Sequence, residues 1–473
     1  MKKYLFISLL LSIVVSYVEA RMASDTATID MGEAVFPAQL QDERKEALKW
    51  FSDDKFGLFL VWGLYNQTAG VWRGIPARGA EHFMLYERVA LKDYATIADD
   101  FNPVDFDAGR WVKTAKYAGM KYVVYTTKHH DGFAMYDSKC SDFNIVSRSP
   151  FKRDPLKELA EACKKEGMKL GLYYSLGRDW EDPDVPTPNA WRSNIWDYRN
   201  ESEKDLQRYM ERKVYPQLKE LLTNYGEVDI LWFDTPELTT KEQSEDLLKL
   251  IYSLQPNCLV NDRVGNGYGD FATKEQQLSG EIIPKPWELC VTMGNNWQYN
   301  VFDVYYKTPE TLIRYFTDVL SKGGNVLLNC CPTGKGEFPT LSYPVFNAFH
   351  DWMEENGEAV YGTRPWRVFG ETYQYYVPSE VFDEDAYEKL PKEIVPDFRF
   401  TSKGKNVYII VRGVEERNFK VTSFDLADKV VKVSLLGSGK KVSWKQNTGG
   451  LEISVPAPDP KKAPVYVLKA ELK

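Results

Sequence analysis

Between about residue 40 and residue 357 the chain repeats one pattern: a short apolar run, then a longer stretch with apolar residues at helical spacing. The runs Phe56–Trp62, Tyr122–Thr126, Lys169–Tyr174, Ile230–Phe233, Cys258–Asn261, Leu289–Thr292 and Asn325–Asn329 read as strands. The stretches Asp42–Phe51, Asp107–Ala118, Leu156–Glu166, Glu203–Tyr225, Ser244–Leu254, Pro309–Leu320 and Tyr343–Asn356 read as helices. Short apolar strands that alternate with helices imply a parallel sheet. Seven or so such units suit a (β/α)₈-like barrel better than an open doubly wound sheet, and no G-x-G-x-x-G follows the first strand.

After Tyr361 the helical period stops. Asp397–Thr401, Asn406–Val411, Phe419–Thr422, Val430–Leu435, Lys441–Trp444, Leu451–Val455 and Val465–Ala470 alternate with period two between Gly, Asn, Asp, Lys and Pro turns. That spacing predicts a C-terminal antiparallel β-sandwich. The first 20 residues differ again: two lysines precede the apolar run Tyr4–Val18, and Val18-Glu19-Ala20 offers small residues for cleavage. A run of 15 residues falls short of the roughly 20 that span a bilayer, so it reads as a secretory signal peptide rather than an anchor. The expected organisation is a signal peptide at 1–20, a barrel at 21–360 and a sandwich at 361–473, with an exported, periplasmic or secreted product and no membrane span after cleavage.

Composition adds two constraints. With 60 basic and 68 acidic residues in 473, a net charge of −8 and no basic run, a nucleic-acid partner is not expected. The six cysteines form no C-x-x-C pair and read as scattered thiols, with pairing left open. The 13 Trp, 29 Tyr and 24 Phe residues exceed what a binding site needs, so most must be core; a few remain available to stack on a sugar face.

Active sites of such barrels lie at the C-terminal ends of the strands. There the chain places Val61-Trp62-Gly63, Lys128-His129-His130-Asp131-Gly132, Tyr173-Tyr174-Ser175, Trp232-Phe233-Asp234 and Asn261-Asp262-Arg263, with Trp287 and Glu288 just before the sixth run. Asp234 is delivered to the rim by an apolar strand, which suits a nucleophile; the competing reading is a cap for the following turn. Glu288 and Glu275 are its candidate partners, because a retaining glycosidase needs a nucleophile and a general acid/base carboxyl about 5–5.5 Å apart. His129 and His130, adjacent on an extended segment, should point apart and so fit hydroxyl hydrogen bonding better than a shared metal ion.

These segments resemble the α-L-fucosidases of glycoside hydrolase family 29. The resemblance runs from about Trp50 to Tyr361 through WFSDDKFGLFLVWGLY, TTKHHDGFAMYDS, DPLKELAEACKKEGMKLGLYYSLGRDW, ILWFD, VNDR, PWELCVTM and KGGNVLLN. It implies a retaining reaction without metal or cofactor on a fucosylated oligosaccharide or glycoconjugate. Asp234 would form the glycosyl-enzyme; Glu288, in the W-E-x-C segment, would serve as acid/base, with Glu275 in reserve. Trp62, Glu81, His82, His129, His130, Tyr174, Trp232, Arg263 and Trp297 would bind the sugar.

Three positions depart from the family pattern. Val61 replaces the usual histidine of H-W-G, His82 stands where the family commonly has tryptophan after Glu81, and Thr235 replaces the glycine after the nucleophile. The first two touch the wall expected to read the sugar's C3 and C4 hydroxyls. They leave open a related L-sugar such as an α-L-galactoside, or a catalytically silent glycan-binding homologue, as alternatives to a fucosidase.

Overall fold

The computed structural model describes residues 38–186, 192–371, 397–412, 417–456 and 465–473. The expected signal peptide lies outside the described residues. Eight strands form one all-parallel sheet: β1 (Phe56–Leu60), β2 (Tyr122–Lys128), β3 (Lys169–Ser175), β4 (Ile230–Asp234), β5 (Leu259–Val260), β6 (Ala272–Glu275), β7 (Trp287–Thr292) and β8 (Asn325–Asn329). Their order is β5-β4-β3-β2-β1-β8-β7-β6. A parallel bridge between Asn261 and Phe271 joins the two ends and closes the barrel.

Two features depart from the sequence pattern. Strand β6, Ala-Thr-Lys-Glu, has no apolar run and is partly exposed, so hydrophobicity does not reveal it. Strand β7 begins at Trp287 rather than Leu289. Both shifts bear on which glutamate reaches the rim.

The main helices are α1 (Ala38–Asp54), α2 (Ala108–Tyr117), α3 (Pro155–Glu166), α4 (Tyr215–Asn224), α5 (Lys241–Leu254), α6 (Pro309–Ser321) and α7 (Tyr343–Asn356). Local chemistry sets their ends. The Asp154 carboxylate accepts from Lys157 N–H, Pro155 opens α3, and Gly167 closes it in the left-handed region at φ +68°. No helix among the described residues is long and apolar enough to cross a membrane.

Beyond the barrel, β9 (Arg364–Glu371), β10 (Asp397–Lys403), β11 (Asn406–Arg412), β12 (Asn418–Val421), β13 (Val430–Leu435), β14 (Ser443–Asn447), β15 (Gly450–Ser454) and β16 (Val465–Leu472) are antiparallel. They form a five-stranded sheet, β9-β10-β11-β16-β13, and a three-stranded sheet, β12-β15-β14. Period-two alternation splits β11 between two cores. Val407, Ile409 and Val411 pack with Val421, Leu451 and Ile453 of the smaller sheet, while Tyr408 and Ile410 join the barrel core. The joint is also polar: Trp352 of α7 donates to the Val465 carbonyl at 2.9 Å, and Arg399 meets Asp318 of α6 at 2.6 Å. All six cysteines are free thiols, five of them buried.

Candidate active site

The site grows from the turn after β2. Lys128, the last residue of that strand, is fully buried; its ammonium meets Asp179 at 2.9 Å and the Tyr209 hydroxyl at 2.7 Å. Asp131 accepts from the Tyr94 hydroxyl at 2.7 Å. Gly132 turns the chain at φ +79°, where a Cβ would lie 2.3 Å from Asp179 Oδ1. Held on both sides, His129 and His130 do not point apart as an extended segment requires: they lie in the turn itself, with ring centroids 4.1 Å apart. His82 joins them, 5.1 Å from the His130 ring and 6.1 Å from that of His129, and its Nε2 lies 4.0 Å from Glu81 Oε1.

Register between β3 and β4 decides which side chains face this group. Tyr173 pairs with Trp232, Tyr174 with Phe233 and Ser175 with Asp234. Because strand side chains alternate, Tyr173, Ser175, Trp232 and Asp234 share one face. Tyr173 donates to Asp234 Oδ2 at 2.7 Å, and Ser175 Oγ is 2.6 Å from His130 Nδ1. Tyr174 turns the other way and donates to Gln217 at 2.8 Å. The tyrosine of the site is therefore Tyr173, not Tyr174.

Arg263, just past β5, ties the acidic groups together. One guanidinium nitrogen meets Asp234 Oδ1 at 2.7 Å and the other meets Glu275 Oε2 at 2.6 Å. Glu275 is the last residue of β6, so the unpredicted strand delivers it to the rim. Glu288 is not there. As the second residue of β7 it sits at the opposite, N-terminal end of the strands, fully buried, with its carboxylate on the Tyr122 hydroxyl and the Trp232 indole N–H. Glu288 does not reach the C-terminal rim because it lies inside β7 near its start, in register with Asn325 at the start of β8. Exposure also falls inward, from 41% for the Glu275 side chain to 14% for Asp234 and 3% for His130.

Aromatic rings make the floor. Trp232 stacks on Tyr173 at 5.5 Å and lies 5.0 Å beneath the Arg263 guanidinium, while Phe59 contacts Tyr173, Trp232 and Trp297. Trp62 is not part of it. Its indole donates to the Thr333 carbonyl and its ring packs with Phe101, Phe106 and Trp111, so it is core. Sequence reasoning missed Phe59, Tyr65, Tyr173 and Gln298. The first and third follow from strand parity; Tyr65 sits on the short helix Leu64–Thr68 and Gln298 in a loop, neither with a periodic signal.

Several buried polar atoms here have no hydrogen-bond partner among the described residues: Tyr65 Oη, Glu81 Oε2, His129 Nδ1 and both amide atoms of Gln298. Unpaired buried polar atoms are costly, and such a cluster suits a hydroxyl-rich ligand. Burial pushes the Glu81 carboxyl up to about 7. Burial and then Arg178 drive His82 down to about 3, and burial with neighbouring imidazoles holds His129 and His130 well below the usual histidine range. Asp234 differs: burial raises it, but Arg263 and Tyr173 outweigh that and hold it below the ordinary carboxylate range. The site is thus an ionised Asp234–Arg263 pair facing neutral imidazoles.

Thr235 follows Asp234 at φ +49°, in the left-handed region that favours glycine and strains a β-branched residue by about 1–2 kcal/mol. Its N–H donates to Asp234 Oδ1 at 2.9 Å, which couples that backbone shape to the carboxylate. Among the described residues, no group of three or more His, Cys, Asp or Glu side chains is placed to hold a metal ion.

Known proteins match this chain along most of its length. The family model described as α-L-fucosidase matches residues 26–358. The bovine tissue α-L-fucosidase is 29% identical over 430 residues, covering 85% of this chain and 82% of its own. Among solved structures, α-L-fucosidase isoenzyme 1 from Paenibacillus thiaminolyticus is 34% identical with a TM-score of 0.78, covering 91% of this chain and 100% of its own. An α-L-fucosidase from Lactobacillus casei in complex with α-L-fucose product is 37% identical with a TM-score of 0.63, covering 66% of this chain and 99% of its own.

Proposed function

The chain belongs to the α-L-fucosidase family and is a fucose-releasing glycoside hydrolase, and from that premise we propose a retaining, exo-acting reaction with Asp234 as nucleophile and Glu275 as acid/base. The observation that carries this reading is the Arg263 fork, which holds both carboxylates on one guanidinium at 2.7 and 2.6 Å. A single planar fork brings both carboxyls to one place, as a mechanism that uses a pair of carboxyls on one glycosidic bond requires.

The inward fall in exposure assigns the roles. Asp234, deep and ionised, attacks the anomeric carbon as the bond to the aglycone breaks. Glu275, at the mouth, protonates the departing oxygen; it then takes a proton from the water that releases fucose from Asp234. Glu81 and the neutral imidazoles of His82, His129 and His130 supply hydrogen-bonding groups to the sugar hydroxyls, and Gln298 and Tyr65 add buried polar atoms. Phe59, Tyr173, Trp232 and Trp297 offer an apolar wall for the C6 methyl. Residues 1–20 direct export, so the secreted product is expected to begin at Arg21.

A panel of aryl α-L-fucoside and α-L-galactoside tests the reading with wild type and Asp234→Ala. Fucoside turnover that vanishes in the variant supports it. Preference for the galactoside reassigns the sugar, and no turnover of either leaves a glycan-binding protein.

Two further outcomes check the site. Arg263→Met leaves burial to raise the Asp234 carboxyl, and catalysis needs that group ionised. The acid limb of the kcat/KM profile therefore moves to higher pH, with a rate loss of about 10²-fold at the optimum. An unmoved acid limb would sink the role of Arg263. His82 lies in the imidazole group, so His82→Ala should lose about 10-fold or more in kcat/KM for the fucoside, against little for Val61→Ala. Equal small losses would show that His82 does not replace the histidine missing at Val61.

A further inference from the structure

Glu288 is a fully buried carboxylate that this reaction does not use. It pairs in register with Asn325, the first residue of β8, so it belongs to the layer at the N-terminal end of the barrel. Apolar branched residues usually fill such layers, and a carboxyl there is costly even when hydrogen-bonded. Burial pushes it up to about 7, against the opposing pull of Tyr122 and Trp232.

Its two contacts are specific. Tyr122 donates to Oε2 at 2.5 Å, and its ring lies across the barrel wall where Gly57 leaves room; a Cβ on Gly57 would come within 2.3 Å of it. The Trp232 indole N–H donates to Oε1 at 3.0 Å. Trp232 in turn touches both groups that hold Asp234. Its ring stacks on Tyr173 at 5.5 Å, and the Arg263 guanidinium rests 5.0 Å above it. Tyr173 and Arg263 then contact the two oxygens of Asp234, each at 2.7 Å, and Arg263 also holds Glu275.

We propose that Glu288 is a positioning residue: it anchors the Trp232 indole from inside the barrel and so fixes the plane on which Tyr173 and Arg263 set Asp234 and Glu275. The inference rests on the reading of those two carboxylates as the reacting pair. A tryptophan held only by stacking could slide or tip within its plane; one hydrogen bond at the buried end of the indole fixes both motions. Displacement of a reacting group by about 1 Å can cost on the order of 10² in rate.

The test uses Glu288→Leu, Glu288→Gln, Trp232→Phe and the Glu288→Leu/Trp232→Phe double variant in the full chain. Thermal melting and titration of active sites with a covalent inhibitor correct each rate for folded enzyme. Glu288→Leu is expected to lower kcat about 10–100-fold, change KM less, and move the acid limb upward as Arg263 loses its seat against Asp234. Glu288→Gln keeps an acceptor for the indole and a donor for Tyr122, so it should recover most of that loss. Trp232→Phe has no indole N–H to anchor; adding Glu288→Leu to it should cost little more. If the leucine variant does not fold, the comparison of Glu288→Gln with Trp232→Phe still decides.

A leucine variant with wild-type kcat and an unmoved acid limb overturns the proposal and leaves the roles of Asp234 and Glu275 intact. Fully additive losses in the double variant overturn it too. A glutamine variant as impaired as the leucine one and accelerated by azide would make Glu288 itself the acid. That outcome overturns both the proposal and the assignment to Glu275.

Discussion

Asp234→Ala should reduce kcat/KM for an aryl α-L-fucoside by about 10⁴-fold or more, the largest effect of any single change in the site. The expected size follows from what the carboxylate does alone. Tyr173, Arg263 and the Thr235 N–H all aim at its two oxygens, and the first two keep it ionised despite its depth. The fold should survive, since the side chain is near the open end of the barrel and Arg263 retains Glu275. Azide fills the space left by the missing carboxylate and should give a fucosyl azide of inverted configuration. Residual activity within tenfold of wild type in steady-state assays would remove Asp234 from the mechanism.

Glu275→Ala should produce the second-largest loss, with a different signature. A general acid contributes about 10²–10⁴-fold when the leaving oxygen is basic. Natural glycans should therefore lose that much, whereas an aryl fucoside with an acidic phenol should lose far less in its first step. Its second step then limits turnover, and azide should accelerate it and yield the fucosyl azide of retained configuration. Equal losses on both substrates, with no response to azide, would show that Glu275 only braces Arg263.

The contrast between Glu275 and Glu288 shows where the sequence stops being legible. Long apolar strands such as Tyr122–Lys128 and Lys169–Ser175, and helices capped by Asp107 and Asp154, announce themselves through period and capping. The barrel and its rim followed from them, and with the rim came Asp234, Arg263 and the histidine turn. Ala272–Glu275 has no such signal: it is four residues long, mostly polar and stitched to the barrel by backbone pairing with β7. A strand made by its neighbours cannot be seen from its own side chains, so the rim residue it carries looked like part of a loop. Glu288 is favoured by the resemblance of its W-E-x-C segment, and a strand expected to start at Leu289 leaves it before the strand rather than among its first paired residues.

Parity produced the other errors. Adjacent tyrosines on β3 differ only in which face they take, and that is fixed by register with β4, not by the residues themselves. Trp62 lies beyond the strand in irregular backbone, where alternation gives no direction. The aromatic excess was mostly core, as its number required. The rings that do meet at the site, Phe59, Tyr173, Trp232 and Trp297, were half invisible until the strands were paired.

The most direct test of the central claim traps the covalent intermediate. A 2-deoxy-2-fluoro-L-fucosyl fluoride forms the glycosyl-enzyme and slows its hydrolysis, so proteolysis and mass spectrometry can locate the sugar. One equivalent of 2-fluorofucose on Asp234, with none in Asp234→Ala, is the predicted result. Label on Glu275, Glu288 or any other residue of the wild-type enzyme would contradict it.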